Sequence, residues 1–150
     1  MTTYPFTLSI KLKSKTWNSR KPLMVDVIFK NTAERSVFID LKSSFQFNGW
    51  LNDNPKKLPF RVVWKQEGQR FQAKKEDYTE IPVGGELKMA LSSLRIEGRP
   101  VIPNSEVPWR KHKPGKYTLF LNYSCGSRQL SFPGQWGGQA VSEEVTLYVK

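Results

Sequence analysis

Pro114-Gly115-Lys116-Tyr117-Thr118-Leu119-Phe120-Leu121-Asn122-Tyr123 is the stretch on which the fold turns. Tyr117, Leu119, Leu121 and Tyr123 recur at every second residue, where a helix buried on one face would repeat every three or four. That rhythm predicts a strand with one face in a core, opened by the Pro-Gly turn before it. Downstream, Val141, Val145, Leu147 and Val149 predict a final strand. It pairs with the Tyr117 strand through the loop from Cys125 to Gln139. Upstream, the segment from Glu97 to Gly115 holds Pro100, Pro103, Pro108 and Pro114. Each proline removes a backbone donor, so this segment predicts a long connection and no central strand.

The same rhythm runs through the first half. Phe6, Leu8, Ile10 and Leu12 face one way, with Ser9, Lys11, Lys13 and Lys15 on the other side of a first strand. Leu23, Val25, Val27 and Phe29 follow after Pro22; because Met24 and Ile28 alternate with them, this strand is expected to be covered on both faces, as a central strand is. Val37, Ile39 and Leu41 come next after the short polar link 31–35, which predicts a hairpin between these two runs. Phe45 and Phe47 begin a short strand, and Asn52-Asp53-Asn54-Pro55 signals a turn. Phe60, Val62 and Trp64, then Phe71 and Ala73 beyond Glu67-Gly68, predict another hairpin. Tyr78 to Val83 precedes Gly84-Gly85. Leu87, Met89 and Leu91 resume the alternation, although Lys88 to Arg95 also suits a short helix by propensity.

Many short strands with turn residues between them predict an all-β fold, a sandwich or a barrel; the resemblance that follows implies the immunoglobulin-like antiparallel β-sandwich. Leu23-x-Val25-x-Val27-x-Phe29-x-Asn31, Gly84-Gly85-Glu86, Pro114-Gly115-Lys116-Tyr117-x-Leu119-x-Leu121-x-Tyr123 and the closing strand together resemble the immunoglobulin-like and fibronectin type III class. The resemblance implies that Tyr117 is a tyrosine-corner residue and that Leu119 stands where an antibody domain has its second cysteine. Among narrower families, the chain is similar to bacterial intracellular proteinase-inhibitor domains, which share the alternating strand ending in Asn and the late Pro-Gly-x-Tyr. No inhibitory motif carries over.

Length predicts one domain, with a core large enough to need neither disulfide nor metal. Cys125 is the only cysteine among 150 residues, which fits a reducing, cytoplasmic setting and equally a secreted form with a large core. There is no apolar run of membrane-spanning length. The formal charge of +11 is uneven: residues 1–75 carry 15 Lys and Arg against 5 acids, and residues 76–150 carry 9 against 8. An excess of this kind marks either an anionic partner or a solubilising surface.

Catalytic chemistry finds little to work with. A thiol dyad would need Cys125 and His112 to meet, yet they flank a predicted strand of about 27 Å at roughly 3.3 Å per residue. One His and one Cys exclude zinc sites built on those ligands. Glu76, Asp77 and Glu80 lack the glycine and spacing of a calcium loop, and Gly84-Gly85 lacks the Lys-Ser/Thr of a phosphate loop. No cofactor is implied.

Three stretches could bind a partner. In the loop 125–138, Arg128, Leu130, Phe132 and Trp136 supply cationic and bulky contacts on a Gly/Ser-rich frame, or else Phe132 and Trp136 fold back to close the core. Lys11, Lys13 and Lys15, continued by Arg20 and Lys21, form a row that could track phosphates; equally, such lysines protect an edge strand. Stacking of nucleic-acid bases would need exposed rings beside that row, with Trp17 and Trp50 as candidates. Trp109-Arg110-Lys111-His112-Lys113 is the third stretch. The expectation is a non-enzymatic module that binds a protein partner through loops at one end. The alternative is an anionic polymer, nucleic acid or acidic polysaccharide, held by the basic half.

Overall fold

A computed structural model describes residues 5–42, 45–53, 59–65, 75–97, 112–125 and 133–150. Among these the chain is almost entirely strand. In order come β1 (Phe6–Leu12), β2 (Thr16–Trp17), β3 (Met24–Asn31), β4 (Val37–Asp40), β5 (Phe45–Asn52) and β6 (Phe60–Trp64). After a 3-10 turn at Lys75–Asp77 follow β7 (Tyr78–Ile81), β8 (Glu86–Glu97), β9 (Gly115–Cys125), β10 (Gly138–Val141) and β11 (Val145–Val149).

One large sheet runs β1-β3-β8-β6-β5-β9-β11-β2, with β10 also on β9. All its pairings are antiparallel except that of β2 with β11. The sheet curls because β8 serves two neighbours in succession. Its residues Glu86 to Ser92 pair with β3, and Ser93 to Glu97 pair with β6 across an irregularity between Val63 and Trp64. The two halves therefore face one another. Phe29 of β3 meets Phe47 of β5 at 6.3 Å and Tyr123 of β9 at 5.2 Å between ring centroids, both edge to face. Around them Val25, Val27, Leu51, Leu119, Leu121 and Leu147 are fully buried.

The cleanest sequence signal gives the central strand of the second half. Tyr117, Leu119, Leu121 and Tyr123 of β9 all face the core. β11 lies beside Gly115 to Leu119 and β10 beside Asn122 to Cys125, so Val141 belongs to β10 and the expected single final strand is two. Ser142 bridges the break: its N–H donates to the Leu121 carbonyl at 2.8 Å and its Oγ accepts the Leu121 N–H at 2.9 Å. The Tyr117 hydroxyl donates to the Lys113 carbonyl at 2.5 Å and accepts the Lys113 N–H at 3.0 Å, the return to upstream backbone that a tyrosine corner makes.

Three expectations are corrected. β4 does not pair with β3; it forms a two-stranded ribbon with β7. The cause is Asn31, buried at the end of β3. Its Oδ1 accepts the Ala33 N–H at 2.8 Å, while its Nδ2 donates to the carbonyls of Arg35 at 2.9 Å and Ile81 at 2.8 Å. These bonds turn the chain away from β3 and tie it to β7. Residues 88–95 are strand, not helix, because pairing on both sides of β8 outweighs the helical propensity of Lys, Met, Ala and Leu. β3 is central, but its outer face is only partly covered: Met24 is 41% exposed, while Asp26 and Ile28 are half-buried. The chain reverses between β7 and β8 through a type II turn in which Gly84 supplies a φ of 71° and Gly85 N–H donates to the Pro82 carbonyl. Phe71, Ala73 and the expected turn at Glu67-Gly68 lie outside the described residues.

Candidate binding surfaces

The loop candidate is described only at its end; Arg128, Leu130 and Phe132 lie outside the described residues, as does Trp109. Trp136 is half-buried and built into the core rim. Its ring stacks on Tyr123 at 5.7 Å and 22° and meets the edge of Phe6 at 4.8 Å. The backbone around it is fixed as well: Phe38 N–H donates to the Gly134 carbonyl, and Trp136 N–H donates to the Phe38 carbonyl. Gln135 adds a 2.9 Å bond from Nε2 to the Tyr78 hydroxyl. Of the two roles open to Trp136, closing the end of the core is the one these contacts describe.

The lysine row needs a correction. β1 stops at Leu12, so only Lys11 stands on it, as the register partner of Asp26. Lys13 and Lys15 lie in the three-residue crossing that carries the chain from β1, at one edge of the large sheet, to β2 at the other. This crossing brings basic residues together from both ends of the sequence. The Lys15 carbonyl accepts the Tyr148 N–H, and the Trp17 carbonyl accepts the Lys150 N–H, each at 2.8 Å. Across β11, Tyr148 pairs with Lys116 and Val149 with Gly115. Lys113 is held three residues further back by the Tyr117 hydroxyl.

Lys13, Lys15, Arg20, Lys21, Lys113, Lys116 and Lys150 are all exposed at this end. None of them is neutralised by an ion pair with a described residue. Asp53 follows Asn52, the partner of Thr118, and is the described acid nearest in register. Glu143 and Glu144 lie further along, between β10 and β11. By contrast, Glu34, Glu76, Glu80 and Glu86 are exposed near the opposite end, where β3 ends and β7 meets β8.

The two tryptophans named for stacking part company. Trp17 is buried and its indole N–H donates to the Lys21 carbonyl at 2.8 Å, so it anchors the basic turn from within. Trp50 is half-buried on the outer face of the second half, where its register partners are Phe120 on one side and Arg61 on the other. Along the same face of β9, Lys116, Thr118, Phe120 and Asn122 succeed one another about 7 Å apart. Arg61 donates from Nη2 to the Asn48 Oδ1 at 3.1 Å. Tyr148, 47% exposed, lies at the basic end of this face beside Lys116, with Lys150 two residues on along β11.

Cys125 and His112 are not brought together. Cys125 is buried at the far end of β9, while His112 precedes its start and packs edge-on against Phe60 at 6.2 Å. A cleft of about 330 Å³ opens between Leu41, Phe45, Met89 and Leu91, and among the described residues Lys65 is the ionisable one that lines it. Among the described residues no three His, Cys, Asp or Glu side chains assemble into a metal-binding group, and no helix is long and apolar enough to cross a membrane.

No protein-family model matches the chain, and no curated protein matches it. Solved structures share its course at low similarity. AvmM, which catalyzes macrocyclization in alchivemycin A biosynthesis, aligns at a TM-score of 0.45 and 8% identity over 97% of this chain and 88% of that one. PapD-like domain 7 of human CEP192 gives 0.35 and 12%, over 100% and 89%. A beta-glucosidase from Listeria innocua gives 0.38 and 13% over 96% of this chain, which spans 16% of the glucosidase's length. Identities and TM-scores this low assign no function.

Proposed function

We propose that this protein is a non-catalytic, immunoglobulin-like binding module that holds an anionic polymer at its basic end. The class rests on strand order, with β1-β3-β8 facing β5-β9-β11, and on the Tyr117 corner. One observation carries the ligand chemistry. Seven cationic side chains from separate parts of the chain converge at one end of the fold, without described ion pairs to offset them. Convergence of like charge raises the local potential and is unfavourable for the fold unless something negative relieves it. The separation of Cys125, buried at the far end of β9, from His112, packed on Phe60 before its start, supports a non-catalytic reading. The protein-partner reading through the 125–138 loop has a weaker footing, since Trp136, its described member, is engaged with Tyr123 and Phe6.

Heparin and double-stranded DNA are suitable probes in a fluorescence-anisotropy titration from about 50 to about 200 mM salt. Binding that weakens steeply with salt is expected. A variant with Lys13, Lys15, Lys113, Lys116 and Lys150 all replaced by Gln should bind far more weakly, each lost phosphate contact on duplex DNA lowering the log–log salt slope by about 0.9. Absence of binding at the lowest salt, or an unchanged slope in the variant, would overturn the proposal.

A further inference from the structure

The outer face that leads away from the basic end carries its own chemistry, and we infer, building on the polyanion reading above, that the polymer is a single-stranded nucleic acid laid across β11, β9 and β5. Charge alone does not distinguish a nucleic acid from an acidic polysaccharide; flat rings do, because every base offers a face to stack on. Tyr148 stands half in solvent beside Lys116, one strand away. From Lys116 the outward residues of β9 climb through Thr118 to Phe120, roughly 13 Å on at 3.3 Å per residue. There Phe120 neighbours Trp50, which neighbours Arg61. Rings thus occur at two levels of one sheet face, half-buried at the Phe120 and Trp50 level, with cations at the entry and Thr118, Thr146 and Asn52 in one row between them.

This pattern suits unpaired bases, which splay onto a sheet surface while phosphates run past the lysines. A duplex keeps its base faces stacked inside and would engage the lysines without the rings. The preference for single strands therefore follows from where Tyr148, Phe120 and Trp50 sit, not from net charge.

The test compares oligothymidylate, the matching RNA homopolymer, duplex DNA and heparin by anisotropy with the unmodified protein and with Tyr148→Ala, Tyr148→Leu and Tyr148→Phe. Single strands are expected to bind most tightly, with DNA against RNA reporting any use of the 2′-hydroxyl. Tyr148→Ala and Tyr148→Leu should each weaken single-strand binding by about tenfold while leaving heparin and duplex binding unchanged, and Tyr148→Phe should restore it. Leucine keeps apolar bulk in the strand, so a loss shared by Ala and Leu and absent in Phe reports the ring and not the fold. Equal affinity for duplex, heparin and single strands, indifferent to all three variants, would overturn this inference and leave the polyanion proposal standing. Failure of every polyanion to bind would overturn both.

Discussion

Gly49→Ala is a sharp test of how the second half of the sheet is packed. Gly49 lies in β5 between Val62 of β6 and Leu121 of β9, facing inward. A Cβ added there would lie 2.7 Å from Trp64 Nε1 and 3.0 Å from its Cζ2. Reaching an ordinary 3.4 Å contact requires the indole or the strand to yield by about 0.7 Å. Trp64 has little room to give, being 2% exposed and placed where β6 shifts register against β8. Overpacking of this kind costs about 1–3 kcal/mol. The lost backbone freedom of glycine in the unfolded chain offsets roughly 0.4–1 kcal/mol of that. A net loss of about 1–2 kcal/mol follows, a fall in Tm of about 2–8 °C for a chain of this size. Urea and thermal denaturation followed by circular dichroism measure it. The same substitution in a Trp64→Leu background should cost nothing, because the clashing ring is gone. Equal losses in both backgrounds would refute the reasoning.

Asn31→Ala should destabilise by about 2–4 kcal/mol in urea denaturation, since it strands the Arg35 and Ile81 carbonyls and the Ala33 N–H; a loss below about 1 kcal/mol would show that water replaces the side chain. Ser142→Ala removes the acceptor of the Leu121 N–H, so that amide should exchange with deuterium faster at a stability cost of about 1 kcal/mol. Burial, reinforced by Cys125 and Asp40, holds the Tyr123 hydroxyl above the ordinary phenol range. The folded chain therefore keeps a proton that the unfolded chain releases above about pH 10, and stability should fall there by about 1.4 kcal/mol per pH unit. Tyr123→Phe should flatten that slope by this amount, and identical slopes would contradict the assignment.

Much of the strand placement was legible because one-sided burial leaves a two-residue imprint. β1, β3 and β9 carry it over most of their length and β5 carries it at Phe45 and Phe47, and the apolar residues so named are buried or half-buried. Partner choice leaves no such imprint. Nothing local tells β4 to join β7; that depends on one amide at Asn31 reaching Ile81, fifty residues away. The strand over 86–97 was ambiguous because its side chains favour helix while its neighbours impose pairing. The same locality limit governs the site. The lysines of the first segment were visible, but their meeting with Lys113, Lys116 and Lys150 follows from β2 joining β11. Trp17 and Trp50 are indistinguishable by type, and only the fold makes one an internal prop and the other a facing ring.

The crossing at Lys13 to Lys15 has a mechanical meaning. β1 and β2 terminate the strand order at its two extremes, yet three residues join them, so the curled sheet is clasped shut by its own backbone. Repulsion between the clasp and Lys113, Lys116 and Lys150 pushes that seam apart. A polyanion that spanned the seam would cancel the push and stiffen the curled sheet, so occupancy should register as slower amide exchange in β1 and β11, well beyond the residues it touches.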